Sequence, residues 1–475
     1  MELYYHDNYV FNMINHKLLR MPNELVNYFN NVEDIYDFWK ITKANDNPAL
    51  NDNIKNQIEA FLFSSSVYND KNIWQNNNVL TSCDQLQLVV SNTCNLKCRY
   101  CYAHDGTYNN PIRFMSFSTL RKSFDLFFRK YKYIDTIMFF GGEPSLNLEV
   151  IKNGCSYLKE KYNNRYGNIN LMSNLYDLSE NMIHLVKKYS INVATSLDGY
   201  EKHNDTNRID KFNQGTYKRV NHNILRLKKE TNQPIKIQST VCSSSDEEFF
   251  EKKFNLMKQF SEDYGVHFTT INKVQLFDMQ EVQLSKNQNL SFRVTNFIHE
   301  LNLSIKYRIL TDDILRFYYF LIGQKNKFRC KSGLSNFSIF PDGEINPCQL
   351  YALDKNKKYT LGNINTINTD NFECFNNMQG ILFNKLDKDN NINCKHCIAK
   401  DICLSCIGRS ISFNSNLDPL EYECKDTLMR YSVFVSTYIY LYENPEIFKN
   451  FIVTVKLILD DFNNGGNYEK YTYKA

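Results

Sequence analysis

The run Thr93-Cys94-Asn95-Leu96-Lys97-Cys98-Arg99-Tyr100-Cys101-Tyr102-Ala103 sets three residues and then two between successive cysteines. That spacing places three thiolates on one tight loop and supplies no fourth. A cubane iron–sulfur cluster normally takes four cysteines, so three leave one iron free to bind something other than protein. The loop directly follows a β-branched run, Leu86 to Asn92, and therefore stands at the C-terminal end of a strand. A zinc knuckle with its last ligand elsewhere is the plainer reading of this loop alone.

Outward from the loop the chain alternates. Strand candidates are Leu86 to Asn92, Thr136 to Gly142, Asn168 to Asn174, Asn192 to Gly199, Ile235 to Cys242 and Val266 to Val274. Between them lie helix-like stretches: Ser116 to Lys130, Asn147 to Lys161, Ser179 to Tyr189, Thr216 to Lys229 and Glu247 to Phe260. Strands alternating with helices predict a parallel sheet with right-handed crossovers. The expected fold is α/β, a partial (β/α)6 barrel with its chemistry at the C-terminal strand ends.

The second strand ends Phe140-Gly141-Gly142-Glu143-Pro144, where two glycines allow close backbone approach and the glutamate can accept from an ammonium. The fourth ends Ser196-Leu197-Asp198-Gly199, followed by His203, Asp205 and Arg208. Ser173 and Asn174 end the third in a similar position. Together these resemble the radical S-adenosylmethionine (SAM) enzymes, whose loop has the same cysteine spacing and an aromatic, here Tyr100, before the last cysteine. The resemblance implies a SAM-binding [4Fe–4S] cluster on Cys94, Cys98 and Cys101, these three being the catalytic set. Gly141, Gly142, Glu143 and Pro144 then bind the SAM amino group, and Tyr100, Ser173, Ser196, Asp198 and Arg208 are further cofactor contacts. Asn204, between His203 and Asp205, departs from the family's contiguous His-Asp.

Fourteen cysteines in 475 residues point to metal rather than to a disulfide framework, given a reducing cytosol. Seven of them form an ordered set in a C-terminal stretch that also holds Cys374: Cys330, then Gly343 and Cys348 in FPDGEINPC, then, after gaps, Cys394, Cys397, Cys403, Cys406 and Cys424. This order resembles the SPASM extension of radical SAM peptide maturases, which carries two auxiliary [4Fe–4S] clusters. The resemblance implies one complete cluster on Cys394, Cys397, Cys403 and Cys424 and another on Cys330, Cys348 and Cys406. Only Leu404 and Ser405 separate Cys403 from Cys406, one residue fewer than the family pattern. The second set is one ligand short: either Cys374 completes it or its iron is open to a substrate thiolate. Cys83, Cys155, Cys242 and Cys374 otherwise read as small core residues.

The expected domains are a winged-helix-like module at 1–80, the barrel at 84–310, the cysteine-rich SPASM domain at 311–430 and helices at 431–475. In the first, Tyr4 to Leu19 reads as a hairpin, Pro22 starts a helix, and helical patterns continue through Asp34 to Thr42 and Ile54 to Phe63. By resemblance this module is a RiPP recognition element, which binds the leader of a precursor peptide by strand addition; a helical cap on the barrel is its plainer reading. A net charge of +4 offers no case for a nucleic-acid groove. The longest apolar stretch, Tyr431 to Tyr442, is too short and mixed to span a bilayer, so a cytoplasmic place is expected.

Relatives with this extension modify peptides. Tyr102-Ala103-His104-Asp105-Gly106-Thr107-Tyr108 looks like the Tyr-Ala…Gly-x-Tyr stretch of thioether-forming maturases. Gln349 stands where sulfatase-maturing enzymes carry an acidic base, and an amide cannot take a proton at neutral pH. The expected reaction is thioether cross-linking of a ribosomally made, cysteine-containing peptide. The substrate thiol would bind the open iron, a 5′-deoxyadenosyl radical would abstract an acceptor hydrogen, and sulfur–carbon closure would return an electron to the cluster. Formylglycine formation, carbon–carbon cross-linking and a noncatalytic metal-bound peptide adaptor are the alternatives. Ferredoxin or flavodoxin is the expected reductant.

Overall fold

Each of the six expected strands and five expected helices forms, within a few residues of its expected bounds. In a computed structural model the described residues are 3–6, 9–12, 17–20, 82–274 and 290–465, except 355, 371 and 415. Strands β1 (Leu3–His6), β2 (Tyr9–Asn12) and β3 (Lys17–Arg20) make a small antiparallel sheet, with Asn12 opposite Lys17. The helices expected from Pro22 to Phe63 lie outside the described residues.

The main sheet carries the chemistry. Strands β4 (Ser82–Ser91), β5 (Tyr133–Gly141), β6 (Tyr166–Met172), β7 (Asn192–Ser196), β8 (Ile235–Cys242), β9 (Phe268–Val274) and the two-residue β10 (Leu310–Thr311) run parallel in sequence order. Their crossovers are α1 (Phe117–Lys130), α2 (Leu148–Lys161), α3 (Glu180–Tyr189), α4 (Glu201–Asn207), α5 (Tyr217–Thr231), α6 (Asp246–Tyr264) and α7 (Leu290–Tyr307). Local signals set these helices. Ser116 and Ser245 cap α1 and α6 by accepting from Thr119 N and Glu248 N, and Gly265 ends α6 in the left-handed region. The inward faces join Leu86, Leu88, Ile137, Phe139, Leu171, Val193 and Ile237 with Leu120, Phe124, Ile151, Ile183 and Leu227 in one core.

Helix α8 (Asp312–Leu321) follows β10, and the cysteine-rich stretch then returns to the opposite edge of the same sheet. Its first strand, β11 (Asn336–Ile339), pairs in parallel with β4, placing Leu86 beside Phe337 and Leu88 beside Ile339. Strands β12 (Glu344–Asn346) and β13 (Gly362–Asn363) extend it antiparallel. One ten-stranded sheet therefore runs across the 310/311 boundary and ties the two cysteine-bearing regions together. Beyond it come α9 (Glu373–Leu386), α10 (Ile407–Asn414), α11 (Glu421–Glu443) and α12 (Pro445–Gly465). The last two pack with α7 and α8 in a second core around Phe297, Phe317, Phe434 and Phe451. Leu18 packs on that core, and the Tyr9 hydroxyl donates to Glu443 Oε1 at 2.5 Å, so the N-terminal sheet rests on the C-terminal helices. No helix among the described residues is long and apolar enough to cross a membrane.

Candidate cluster and SAM site

Cys94, Cys98 and Cys101 leave the end of β4 on a loop held by its own backbone. Cys101 N donates to Cys98 O (3.0 Å), Lys97 N to Ile209 O (2.8 Å) and Arg99 N to Asn207 O (2.9 Å). The three thiols lie within electrostatic reach of one another. Burial, then the neighbouring Glu143, pushes the Cys94 thiol up to about 12. Burial also raises Cys98, against the pull of Arg208. Such thiols ionise when a metal takes the proton's place.

The two glycines act differently from the sequence expectation. A Cβ on Gly141 would lie 2.1 Å from Ser91 O, and one on Gly142 would lie 2.4 Å from Thr93 O and 2.8 Å from Gly106 Cα. What the missing side chains admit is the backbone of the cysteine loop itself. Gly142 N and Glu143 N then donate to Ser91 O and Thr93 O, both at 2.9 Å, and lock β5 to the loop. Gly106, at φ +86°, closes the third side.

Glu143 is fully buried, and its carboxylate already serves the chain. Oε1 accepts from Ser145 N (3.0 Å) and Ser173 Oγ (2.8 Å), and Oε2 from Asn174 N (2.7 Å). Of about four lone-pair positions this leaves roughly one for a ligand ammonium, so Glu143 is first the anchor that ties the end of β6 to the turn after β5. Burial raises its pKa, and these same donors oppose the shift. Asn174 adds a bond to Asn95 Oδ1 at 2.8 Å and a 3.6 Å contact to the Cys94 sulfur. Pro144 is buried at the start of the short helical turn that follows.

Tyr100, Asp198 and Arg208 converge on the other side of the loop. The Tyr100 hydroxyl donates to Asp198 Oδ2, Arg208 Nη1 donates to that hydroxyl at 3.1 Å, and Thr240 N donates to Asp198 Oδ1 at 2.8 Å. Burial raises the Asp198 carboxyl while Arg208 pulls it back. Arg208 makes no ion pair with a carboxylate among the described residues. Its Nε is buried without a partner, a donor that an anionic ligand beside Cys98 would satisfy. Ser196 is half-buried at the end of β7, and His203 is exposed. Asn204, which breaks the family's His-Asp pair, is a wholly buried hub: it accepts from Asp198 N (3.2 Å) and donates to Thr216 Oγ1 (3.0 Å). Asp205 accepts from Thr216 N and Tyr217 N, both at 2.8 Å, and so secures the start of α5.

The C-terminal cysteines gather into two groups. Cys330, Cys348 and Cys406 act on one another, and Cys394, Cys397, Cys403 and Cys424 do the same. Among the described residues no three His, Cys, Asp or Glu side chains converge tightly enough for a single metal ion. The buried Tyr351 hydroxyl lies beside the first group without a hydrogen-bond partner, and Tyr108, next to Tyr102, lies near both Cys101 and Cys348. The orphaned Tyr351 hydroxyl fits a group that brings its own acceptors. Cys374 is exposed in the first turn of α9 and is not among the main influences on Cys330 or Cys348. The reading of all four leftover cysteines as core residues holds for Cys83 and Cys155 but not for Cys374, while Cys242 is half-buried near Asp198. Gln349, following Cys348, lies against the Tyr102 hydroxyl, and the Tyr102 ring meets Tyr108 edge-on at 6.2 Å.

Residues 88–249, which hold the cysteine loop, the Gly-Gly-Glu-Pro turn and the Tyr100–Asp198–Arg208 group, match the Radical SAM superfamily. The match covers about a third of the chain. Radical SAM proteins bind a [4Fe–4S] cluster and SAM. The chain is 27% identical over 346 residues to a cysteine-type anaerobic sulfatase-maturating enzyme of Clostridium novyi, across 69% of this chain and 88% of that one. It is 24% identical to the radical SAM cyclopropyl synthase TigE of Paramaledivibacter caminithermalis, covering 84% and 86%. In structure it is similar to anSMEcpe with bound AdoMet, at TM-score 0.60 and 20% identity over 82% of this chain and 99% of that one. The two chains thus share a fold over that span.

Proposed function

We propose that the chain is a radical SAM/SPASM maturase that installs thioether cross-links in a ribosomally made, cysteine-containing peptide. The observation that carries this reading is the gathering of Cys330, Cys348 and Cys406 into a three-thiol group with Cys374 outside it. A cluster on three protein thiolates keeps an iron for a substrate thiolate, since iron is thiophilic. In this reading Cys94, Cys98 and Cys101 hold the first cluster. Glu143, Ser173, Ser196, Asp198 and Arg208 surround SAM with Tyr100, while Gly141, Gly142 and Pro144 frame the site. Cluster and SAM together would supply a 5′-deoxyadenosyl radical able to take hydrogen from an unactivated carbon. The protein's part is to position one peptide C–H and keep water away.

Gln349 supports thioether chemistry over aldehyde formation, because the position after Cys348 offers an amide and no base. Formylglycine formation is the second reading, favoured by the 27% identity to the Clostridium novyi enzyme. We assign residues 1–80 to leader binding, the strands β1 to β3 offering a sheet edge to an extended peptide, and a ferredoxin or flavodoxin to the supply of electrons.

Intact-mass analysis of a cysteine-containing precursor peptide, incubated anaerobically with reduced enzyme and SAM, tests the proposal. Thioether closure lowers the mass by two hydrogens per bond and consumes thiol without aldehyde; a product that reacts with hydrazide instead supports the second reading. Cys374→Ala should keep full iron content, whereas Cys406→Ala should lose an auxiliary cluster. Loss of a cluster's iron in Cys374→Ala would end the open-iron account.

A further inference from the structure

Arg329 is among the largest fully buried side chains of the protein, with 2% of its surface exposed. Only one of its three guanidinium nitrogens is engaged: Nη2 donates to Leu417 O and, at 3.4 Å, to Lys385 O. Nε and Nη1 are buried without a partner, and no carboxylate among the described residues lies within ion-pair distance. A buried guanidinium with unanswered N–H groups is strongly unfavourable unless an anion meets it. Its neighbourhood indicates which anion. Arg329 acts on Cys394 of the four-cysteine group, on the buried Glu423 beyond ion-pair distance, and on Tyr351, the tyrosine beside Cys330, Cys348 and Cys406.

Lys388 repeats the pattern from the other side. It is 1% exposed, its ammonium donates to Asn326 O (2.6 Å) and Lys400 O (2.7 Å), and no carboxylate pairs with it among the described residues. It too neighbours Cys394, together with Cys403. The three-cysteine group meets Arg329 only through Tyr351. Its nearby cation, Arg409, is 55% exposed and already paired with Glu423 at 3.2 Å.

A cluster on four thiolates carries net negative charge, and its potential follows that charge, the hydrogen bonds to its sulfurs and its exposure. We propose that Arg329 and Lys388 are a buried counter-charge for a cluster on Cys394, Cys397, Cys403 and Cys424, making it the more easily reduced of the two auxiliary sites. One electron leaving the three-cysteine site would then reduce the four-cysteine site by one, so current runs from the substrate side outward. The inference rests on the auxiliary-cluster reading above.

Iron counting and an EPR-monitored redox titration of anaerobically purified, full-length wild type, Arg329→Gln, Arg329→Lys and Lys388→Gln test it. In Arg329→Gln and Lys388→Gln one auxiliary signal should move to lower potential by at least a tenfold change in its oxidised-to-reduced ratio, about 59 mV for one electron. The SAM-cluster signal should stay in place, and Arg329→Lys, which keeps the charge, should recover most of the shift. Loss of about 4 irons in Arg329→Gln but not in Arg329→Lys would support the same role for charge. Unchanged potentials in both neutral variants, or an Arg329→Lys as defective as Arg329→Gln, would overturn it in favour of packing. A wild type holding only about 4 irons would overturn the auxiliary-cluster reading itself, and this inference with it.

Discussion

Gly142→Ala is the sharpest perturbation of the site, because the added methyl group meets backbone on every side. Its Cβ would stand 2.4 Å from Thr93 O, 2.5 Å from Thr93 C and 2.8 Å from Gly106 Cα, where ordinary contact begins at 3.4 Å. No rotamer change relieves a clash with main chain, so the cysteine loop must withdraw by about 1 Å or β5 must shift by as much. Overpacking of this kind costs about 1–3 kcal/mol, a moderate loss for the fold. The effect on chemistry is larger, since a displacement of ~1 Å can cost ~100-fold in rate. Gly380 in α9 is the control, with no atom within 4 Å of a Cβ built there. Gly380→Ala should be neutral, or stabilising by about 0.5–1 kcal/mol. The assay is 5′-deoxyadenosine formed from SAM under dithionite, alongside iron content and thermal unfolding. A Gly142→Ala enzyme with wild-type turnover and iron would refute the argument that these glycines exist to admit the cysteine loop.

Two further outcomes concern the frame around the site. Lys253, 2% exposed, pairs with Glu300 (2.8 Å, 1% exposed) and Asp313 (3.1 Å), and Lys253→Met should destabilise the chain by about 3–5 kcal/mol by stranding Glu300. Adding Glu300→Leu should recover much of that loss in denaturant unfolding. Hydrogen bonds from Lys252 and the Ser244 backbone hold Glu248 at about 2, below its ordinary 4.5. A depressed carboxylate contributes stability that is full above the unfolded pKa and is lost as pH falls through the folded one. The advantage of wild type over Glu248→Gln should therefore be complete above about pH 5 and fade towards pH 2; an advantage independent of pH over that window would contradict the assignment.

The barrel was legible because its signals are local. Each strand from Leu86 to Val274 is a β-branched run and each crossover an amphipathic stretch, so alternation alone predicts the parallel order. The resemblance to the SPASM extension likewise set Cys330, Cys348 and Cys406 apart from the other four. What escaped is what depends on distant neighbours. Nothing around Asn336 announces that β11 will join β4 across some 250 residues of chain. Glu143 was read for a ligand, but its carboxylate answers Ser145, Ser173 and Asn174, three donors whose positions only the fold supplies. Asn204 looked like an interruption and is a buried hub, its one available signal being the Asp205 and Thr216 that flank the same turn. Arg329, beside Cys330, reads as an ordinary surface residue until burial shows its nitrogens unanswered.

The central claim is that the loop of Cys94, Cys98 and Cys101 supports reductive cleavage of SAM. The direct measurement is 5′-deoxyadenosine released by anaerobically reconstituted, dithionite-reduced protein, wild type against Cys98→Ala. The account predicts turnover in the first and none in the second. No 5′-deoxyadenosine from wild type, or equal amounts from both, would contradict it.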